Sequence, residues 1–445
     1  MKRVLALLSA LAVIGCGGCS DKNKADSSSG ESSAVSGEIS GSGEAVEDIA
    51  PAVTEKAGDN SSKVSKDDKG SGEKKPAQKD SSAADGGSGE NGYSPEGTGS
   101  FKPDKFLEET DFTDVQMNLN ITDADSASNI QKLEVDFAEF GEGTAGNAAY
   151  DGEALWIFFM VPQGAKLIRH DIASGKTECI CEYKLEDGNI PVDVYFGGGK
   201  LLCNTMSDME YDGIAEIDPA TGSLTRICGS EYGYLTYSCD DTVTLLDVDW
   251  DTQSGNYSDQ IPAKVYSLDP STGNTELLFD GMYDEWCIDY PGKTARKTTE
   301  TDVKNELVKT TLETDTYKIT PPDNCQLAGA TSECVSFLEY ISYSSDVTKR
   351  IHTYDIRTRE HLIINATNIP EMYHAAGNNL VCYDPQGMIK TVYCVCPRIG
   401  TAFRLDGLSF LQSTPVISVT GGKAAVGSFT DMVGSSTVGV YYIIG

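Results

Sequence analysis

From about residue 130 to the end, apolar and polar positions alternate in short runs broken by Gly, Asp and Asn. That is the period-2 pattern of β-strands joined by turns, and helical periodicity is nearly absent. Three stretches align with one another: LIRHDIASGKTECIC from Leu167, IAEIDPATGSLTRIC from Ile214 and VYSLDPSTGNTELLF from Val265. A fourth, IHTYDIRTREHLIIN from Ile351, keeps the pattern without the glycine. Each reads as a strand ending in Asp171, Asp218, Asp269 or Asp355, a tight turn, and a second strand. Asp bonds its own backbone two residues on, and Gly175, Gly222 and Gly273 suit a left-handed position.

A second ladder of turn signals falls near Gly152, Gly198, Asp241, Gly292, Glu333, Asn378 and Gly422. Its period of about 45 residues is the length that four short strands and their turns require. Ala154 to Val161 (ALWIFFMV) is apolar on both faces, as a strand sandwiched between sheets should be. Lys166 to Ile172 and Lys176 to Tyr183 alternate more, as strands nearer a rim should. The unit from Trp286 to Pro321 diverges: it is rich in Thr and Lys and has no Asp-x-x-x-Gly turn. The chain stops after Val438 to Ile444, which reads as the third strand of a seventh unit. Leu133 to Phe137, ahead of the first unit, can supply the missing fourth strand and close a ring with no open edge. The prediction is an all-β domain over 101–445, a seven-bladed β-propeller of four-stranded blades. Six or eight blades are the alternative counts, and a pair of β-sandwiches would not give seven evenly spaced ladders.

The first hundred residues follow other rules. Lys2 and Arg3 precede an uninterrupted run of apolar and small residues from Val4 to Ile14, too short to span a membrane and right for a signal-peptide core. Val13-Ile14-Gly15-Cys16 then resembles the lipobox of bacterial surface lipoproteins. The resemblance implies removal of residues 1–15, a lipid on Cys16 as the new N-terminus, and an extracytoplasmic domain held to the membrane. Cys19 is a weaker alternative, and an ordinary secretory signal is the plain one. Residues 16–100 read as lipidated Cys and disordered tether: Ser, Gly and charges dominate, and Tyr93 is the one aromatic residue of 21–100. Such a coil spans about 50 Å on average and ~260 Å when extended.

The whole chain carries 35 Lys+Arg against 68 Asp+Glu, a net charge of −33. Most of that belongs to 101–445, so the folded part itself is acidic. Nucleic acid and anionic lipid surfaces are excluded as partners, because both need a basic footprint. The Asp-Pro-x-Thr-Gly turns at 218–222 and 269–273 resemble those of quinoprotein-like and low-density-lipoprotein-receptor-like β-propellers. True quinone enzymes carry a Trp at a fixed place in nearly every blade. Trp156, Trp250 and Trp286 stand at unrelated positions, so no quinone and no other cofactor is expected.

Catalytic signatures are sparse. No Gly-x-Ser-x-Gly elbow and no phosphate-cradling loop is present. His170, His352, His361 and His374 read as blade-face histidines. Cys179/Cys181 and Cys394/Cys396 are Cys-x-Cys pairs rather than zinc turns, and most of the cysteines read as small buried apolar groups. Asp247, Asp249 and Asp251 share one strand face and form a weak calcium candidate, with a solvated rim as the plain alternative.

The strongest signal is positional. Loops joining one blade to the next, together with those joining middle strands, share one end of a propeller. On that end the sequence places Glu231, Tyr232 and Tyr234; Tyr283, Asp284, Glu285 and Trp286; Tyr373 beside Glu371 and His374; and Asp208, Tyr211 and Asp212. Aromatic rings beside carboxylates suit a basic peptide or protein, or a glycan. The alternative is that the rings pack between blades and the acids are solvated. A tethered binding module is the expectation. A glycan-acting enzyme with carboxylates in the central funnel, or an envelope-assembly scaffold, are the other classes.

Overall fold

The computed structural model describes residues 101–445 except 208–209, 240–241, 249–260, 286–294, 341–347, 367–368, 370–371, 384–390, 409–415 and 428–437. Cys16, Cys19 and the tether lie outside the described residues, as do Asp208, Asp249, Asp251 and Trp286.

The chain first lays down four short strands: β1 (Leu107–Glu108), β2 (Thr113–Asn118), β3 (Asn120–Asp123) and β4 (Ile130–Asp136). Seven blades then follow in a ring. Blade 1 holds β5 (Thr144–Tyr150), β6 (Ala154–Val161), β7 (Gly164–Asp171) and β8 (Thr177–Lys184). Blade 2 holds β9 (Asn189–Pro191) and β10 (Tyr195–Gly197), which share one inner position, then β11 (Lys200–Ser207), β12 (Glu210–Ile217) and β13 (Leu224–Gly229). Blade 3 runs β14 (Tyr234–Cys239), β15 (Thr242–Val248), β16 (Pro262–Leu268) and β17 (Thr275–Met282). In blade 4 the described strands are β18 (Arg296–Asp302), β19 (Leu307–Glu313) and β20 (Tyr317–Ile319). Blade 5 is β21 (Cys325–Ala330), β22 (Cys334–Tyr340), β23 (Thr348–Asp355) and β24 (Glu360–Asn365). Blade 6 is β25 (Met372–Ala376), β26 (Asn379–Tyr383), β27 (Val392–Cys396) and β28 (Thr401–Leu405). Blade 7 is β29 (Val416–Thr420), β30 (Lys423–Gly427) and β31 (Val438–Ile444).

β4 completes blade 7 by pairing antiparallel with β31, Leu133 opposite Tyr441 and Val135 opposite Gly439. This is the closure that the alternating Leu133-Glu134-Val135 pattern predicted. The preceding strands do something the sequence reading did not include. β1, β2 and β3 lie parallel along the outermost strands of blades 4, 5 and 6 respectively. Residues 107–136 therefore form a strap across four consecutive blades.

Packing between blades explains the apolar patterning. Separate buried clusters join blade 7 to 1, 1 to 2, 2 to 3, 4 to 5, 5 to 6 and 6 to 7. Phe137 stacks on Phe159 in the first of these, with centroids 5.2 Å apart. Between blades 3 and 4 a described link is ionic, Arg296 to Glu285 at 2.9 Å. Blades 5 and 6 are also pinned by a buried carboxylate: Glu333 meets Arg357 at 2.7 Å and Arg398 at 3.1 Å. β14 of blade 3 pairs with β29 of blade 7 at one point, Cys239 opposite Val419, so the centre is narrow there.

The Asp turns behave as their chemistry requires. Asp171, Asp218, Asp269 and Asp355 each accept bonds from the next turn's amides, and the residue four positions on donates back to the Asp carbonyl. That residue is Gly175, Gly222 or Gly273 at φ near +70°, and Arg359 at φ 60° in the fourth case. Gly222 has a second reason to be glycine, because a Cβ there would lie 2.2 Å from the Cβ of Cys181 in the neighbouring blade. Among the described cysteines Cys179 is exposed, Cys181 half-buried, and Cys203, Cys228, Cys325, Cys334, Cys382, Cys394 and Cys396 are buried free thiols. No described helix is long and apolar enough to cross a membrane.

Candidate functional site

The inner edge of blade 2 is broken, and the break builds the centre of the site. β9 and β10 both pair with β11, and Val192 to Val194 bow out between them. Asp193 turns its carboxyl into the gap, where it accepts from the Asn204 backbone at 2.7 Å and the Asn204 Nδ2 at 2.6 Å. The Asn204 amide also clasps the next blade: it accepts from Leu235 N at 2.7 Å and donates to Leu235 O at 2.9 Å. Asn147 clasps Val194 in the same two-point manner from blade 1, at 2.8 and 3.0 Å. Each amide stands in for one peptide unit of a sheet, so the N–H and C=O of Val194 and of Leu235 are paired across the junctions.

Burial pushes the Asp193 carboxyl up to about 7, against hydrogen bonds from Asn204 and Tyr195 that favour ionisation. It is surrounded by protein but partly accessible. Tyr195 and Tyr211 crowd around it, Tyr234 lies beyond Tyr195, and burial raises all three phenols. Tyr211 Oη donates to Asn204 Oδ1 at 3.3 Å. Tyr234 Oη is buried with no hydrogen-bond partner among the described residues.

Outward from this centre lies a rim built by two three-residue turns. Ser230–Tyr232 leads from blade 2 into β14, and Tyr283–Glu285 leaves β17. With the start of β12 they bring Tyr211, Asp212, Glu231, Tyr232, Tyr234, Tyr283 and Glu285 to the same end of blades 2 and 3. Tyr234 and Tyr283 pack on one small cluster with Val265 and Phe279. Tyr232 meets Tyr266 edge-on at 5.4 Å. The rings are thus half-buried supports, while Glu231 is exposed. Asp212 is held by Arg226, whose Nη1 lies 3.3 Å from each carboxylate oxygen. Asp247, the described member of the Asp247/Asp249/Asp251 group, is partly exposed beside Tyr234.

Asp284 falls in the second turn, but its side chain is outside the described set. Tyr373 sits on β25 of blade 6, away from this group, and its side chain is likewise not described. The sequence reading missed Asp193, Asn204 and Tyr195. Strand alternation could not have placed Asp193, because residues 192–194 lie in the break between β9 and β10. Among the described residues no group of three or more His, Cys, Asp or Glu is arranged to hold a metal ion.

These features belong to a seven-bladed β-propeller. No protein-family model matches the chain. No curated protein matches it either. Solved structures that resemble it include an oligogalacturonate lyase in complex with manganese, at TM-score 0.41 and 12% identity over 73% of this chain and 91% of that one. The β-propeller domain of the Trilobed protease from Pyrococcus furiosus aligns at TM-score 0.40 and 10% identity, over 64% and 91%. An acylaminoacyl peptidase from Pyrococcus horikoshii aligns at 0.42 and 10%, over 65% and 50%. At such values the activities of those proteins stay with those proteins.

Proposed function

We infer that the chain is an extracytoplasmic lipoprotein, anchored through Cys16, whose propeller is a binding module for a basic peptide or protein segment. The observation that carries this reading is the rim of blades 2 and 3. There Glu231 and Asp247 stand beside half-buried tyrosines at the end of the domain where propeller loops converge, with Asp212 and Glu285, already paired to Arg226 and Arg296, flanking them. Carboxylates on a firm apolar support attract and orient Lys and Arg, and the ring faces add cation–π contact. Half-buried, edge-packed rings offer less of the flat platform that a sugar needs, so a glycan ranks second. An array of lysine- and arginine-rich peptides and of glycans, probed with the full chain, tests this. Peptide capture that falls on Glu231→Gln supports the rim; capture of neutral glycans alone overturns it. Labelled fatty acid should enter the chain and be lost on Cys16→Ser but kept on Cys19→Ser.

One observation favours a second reading, a glycan-acting enzyme. A carboxyl with a pKa of about 7, such as Asp193, can serve as a general acid. Turnover of acidic or neutral oligosaccharides abolished by Asp193→Asn would establish it.

A further inference from the structure

Blade 5 carries a row of polar side chains that the proposed function does not use, and the inference below does not depend on that function. Glu339 on β22, His352 on β23, His361 on β24 and Asp114 on β2 line up across four adjacent strands. Glu339 Oε2 lies 3.0 Å from His352 Nε2. His352 Nδ1 lies 2.9 Å from His361 Nε2. His361 Nδ1 lies 2.8 Å from Asp114 Oδ1. The two imidazoles are 2% and 7% exposed, and Tyr354 stacks flat on His361 at 4.1 Å.

Three contacts need three hydrogens. An ionised carboxylate only accepts, so His352 Nε2 and His361 Nδ1 must both carry one. Those are the single hydrogens that two neutral imidazoles possess. The central contact would then set two bare lone pairs against each other. Two additional protons would set N–H against N–H. One additional proton completes the chain.

We propose that His352 and His361 bind one shared proton, and that this proton latches the strap strand β2 onto the fifth blade through Asp114.

The surroundings keep Glu339 an acceptor and place uptake of the shared proton on the acid side of the ordinary histidine range. Burial pushes the Glu339 carboxyl up, but hydrogen bonds from His352 and Lys349 outweigh it and hold the group below its ordinary value, as an acceptor. Burial pushes both imidazoles down, and His361 and Arg350 push His352 down further; Glu339 and Asp114 offset this only in part, so both rings stay below the ordinary histidine value. The other groups facing the row are Lys349, 2.9 Å from Glu339, Arg350, 3.6 Å from it, Glu109 near the Tyr354 ring, and the Tyr354 phenol and Cys325 thiol. Burial raises the last two, so they stay neutral.

The direction follows from linkage. Asp114 raises the proton affinity of His361, so the latched state binds the proton more tightly than a state in which β2 has lifted while the ring still stacks on Tyr354. Acidification therefore favours the latch. Global unfolding runs the other way. The folded imidazoles lie below their unfolded value, so the stability they contribute is present above that value and is lost as pH falls through the folded one. Local tightening against global weakening is the signature of the latch.

Nitrogen-15 NMR of the histidine-labelled full chain tests the proton, and the protein has only four histidines to assign. The expected result is one common inflection for His352 and His361 with uptake of a single proton. Two independent inflections totalling two protons, or none between about pH 4 and 8, overturn the proposal. Hydrogen exchange tests the latch. After correction for intrinsic rates, amides of Thr113–Asn118 should be about tenfold better protected on the acid side of that inflection. His361→Gln should remove the dependence while β4 stays protected. Flat protection in the unmodified chain, or protection that falls with acid, contradicts the latch without reference to any variant.

Discussion

The two halves of the ring solve the problem of the open sheet edge differently. In blades 1 to 3 no strand among the described residues pairs with the outermost one, which carries charge instead: β8 reads TECICEYK, β13 LTRICG and β17 TELLFDGM. In blades 4 to 6 the strap adds one strand outside the blade's own, a fifth in blades 5 and 6, and the strands beneath it can be apolar. Ile364 in β24 is 0% exposed, whereas Leu277 in β17 is 51% exposed. An edge that is paired no longer needs charge to discourage unwanted pairing. The strapped half thus has its outer edges covered, and the other half carries the broken inner strand of blade 2 and the rim to which the proposed binding is assigned.

Removing residues 101–129 while keeping β4 gives the largest expected effect. Three apolar outer strands lose their cover, and the melting temperature should fall by more than ~10 °C, with a gain in dye-binding apolar surface. A fall no larger than that of a conservative surface change would break the contrast between the halves.

Next comes the pH dependence of the half without the strap. Asp193 titrates near 7 folded against an ordinary 3.8, so its contribution is fully present below the lower value and is lost as pH rises through 7. About three pH units at ~1.4 kcal/mol each bound the effect near 4 kcal/mol. Denaturant titrations from pH 4 to 8 should show that decline, and Asp193→Asn should flatten it.

Asn204→Ala should cost about 2–3 kcal/mol, because Leu235 N–H and C=O lose their partner and the Asp193 carboxyl loses the Nδ2 bond while keeping the one from the backbone N–H of residue 204. Arg359→Gly is the smallest and has the opposite sign. Relief of a left-handed arginine should stabilise the fold by about 0.5–1 kcal/mol, measured as a shift in urea midpoint at constant slope.

Much of this was legible in the sequence, for stated reasons. The Asp turns revealed the blades because local hydrogen bonding fixes them, and Leu133 to Phe137 revealed the closure because one of its faces is apolar. The strap was not legible: Thr113–Asn118 pairs through backbone with Val115 and Met117 half-buried and its other side chains exposed, so its pattern carries little hydrophobic signal. The apolar outer strands EHLIIN and TAFRL, set against the charged ones of blades 1 to 3, were the available clue. The rim residues were found by loop position. Asp193 and Asn204 were not, since their roles arise from a break in pairing that alternation does not encode.

The account turns on the acidic rim of blades 2 and 3 as the contact face. The most direct measurement is the binding isotherm of a lysine-rich peptide to the full chain at low and at physiological salt, for three forms of the protein. The account predicts that Glu231→Gln with Asp247→Asn weakens binding at least ~tenfold at low salt and reduces its salt dependence. It also predicts that Asp123→Asn with Glu360→Gln, the same charge removed from the strapped half, leaves the isotherm unchanged. Equal loss in both double variants, or none in either, would contradict it.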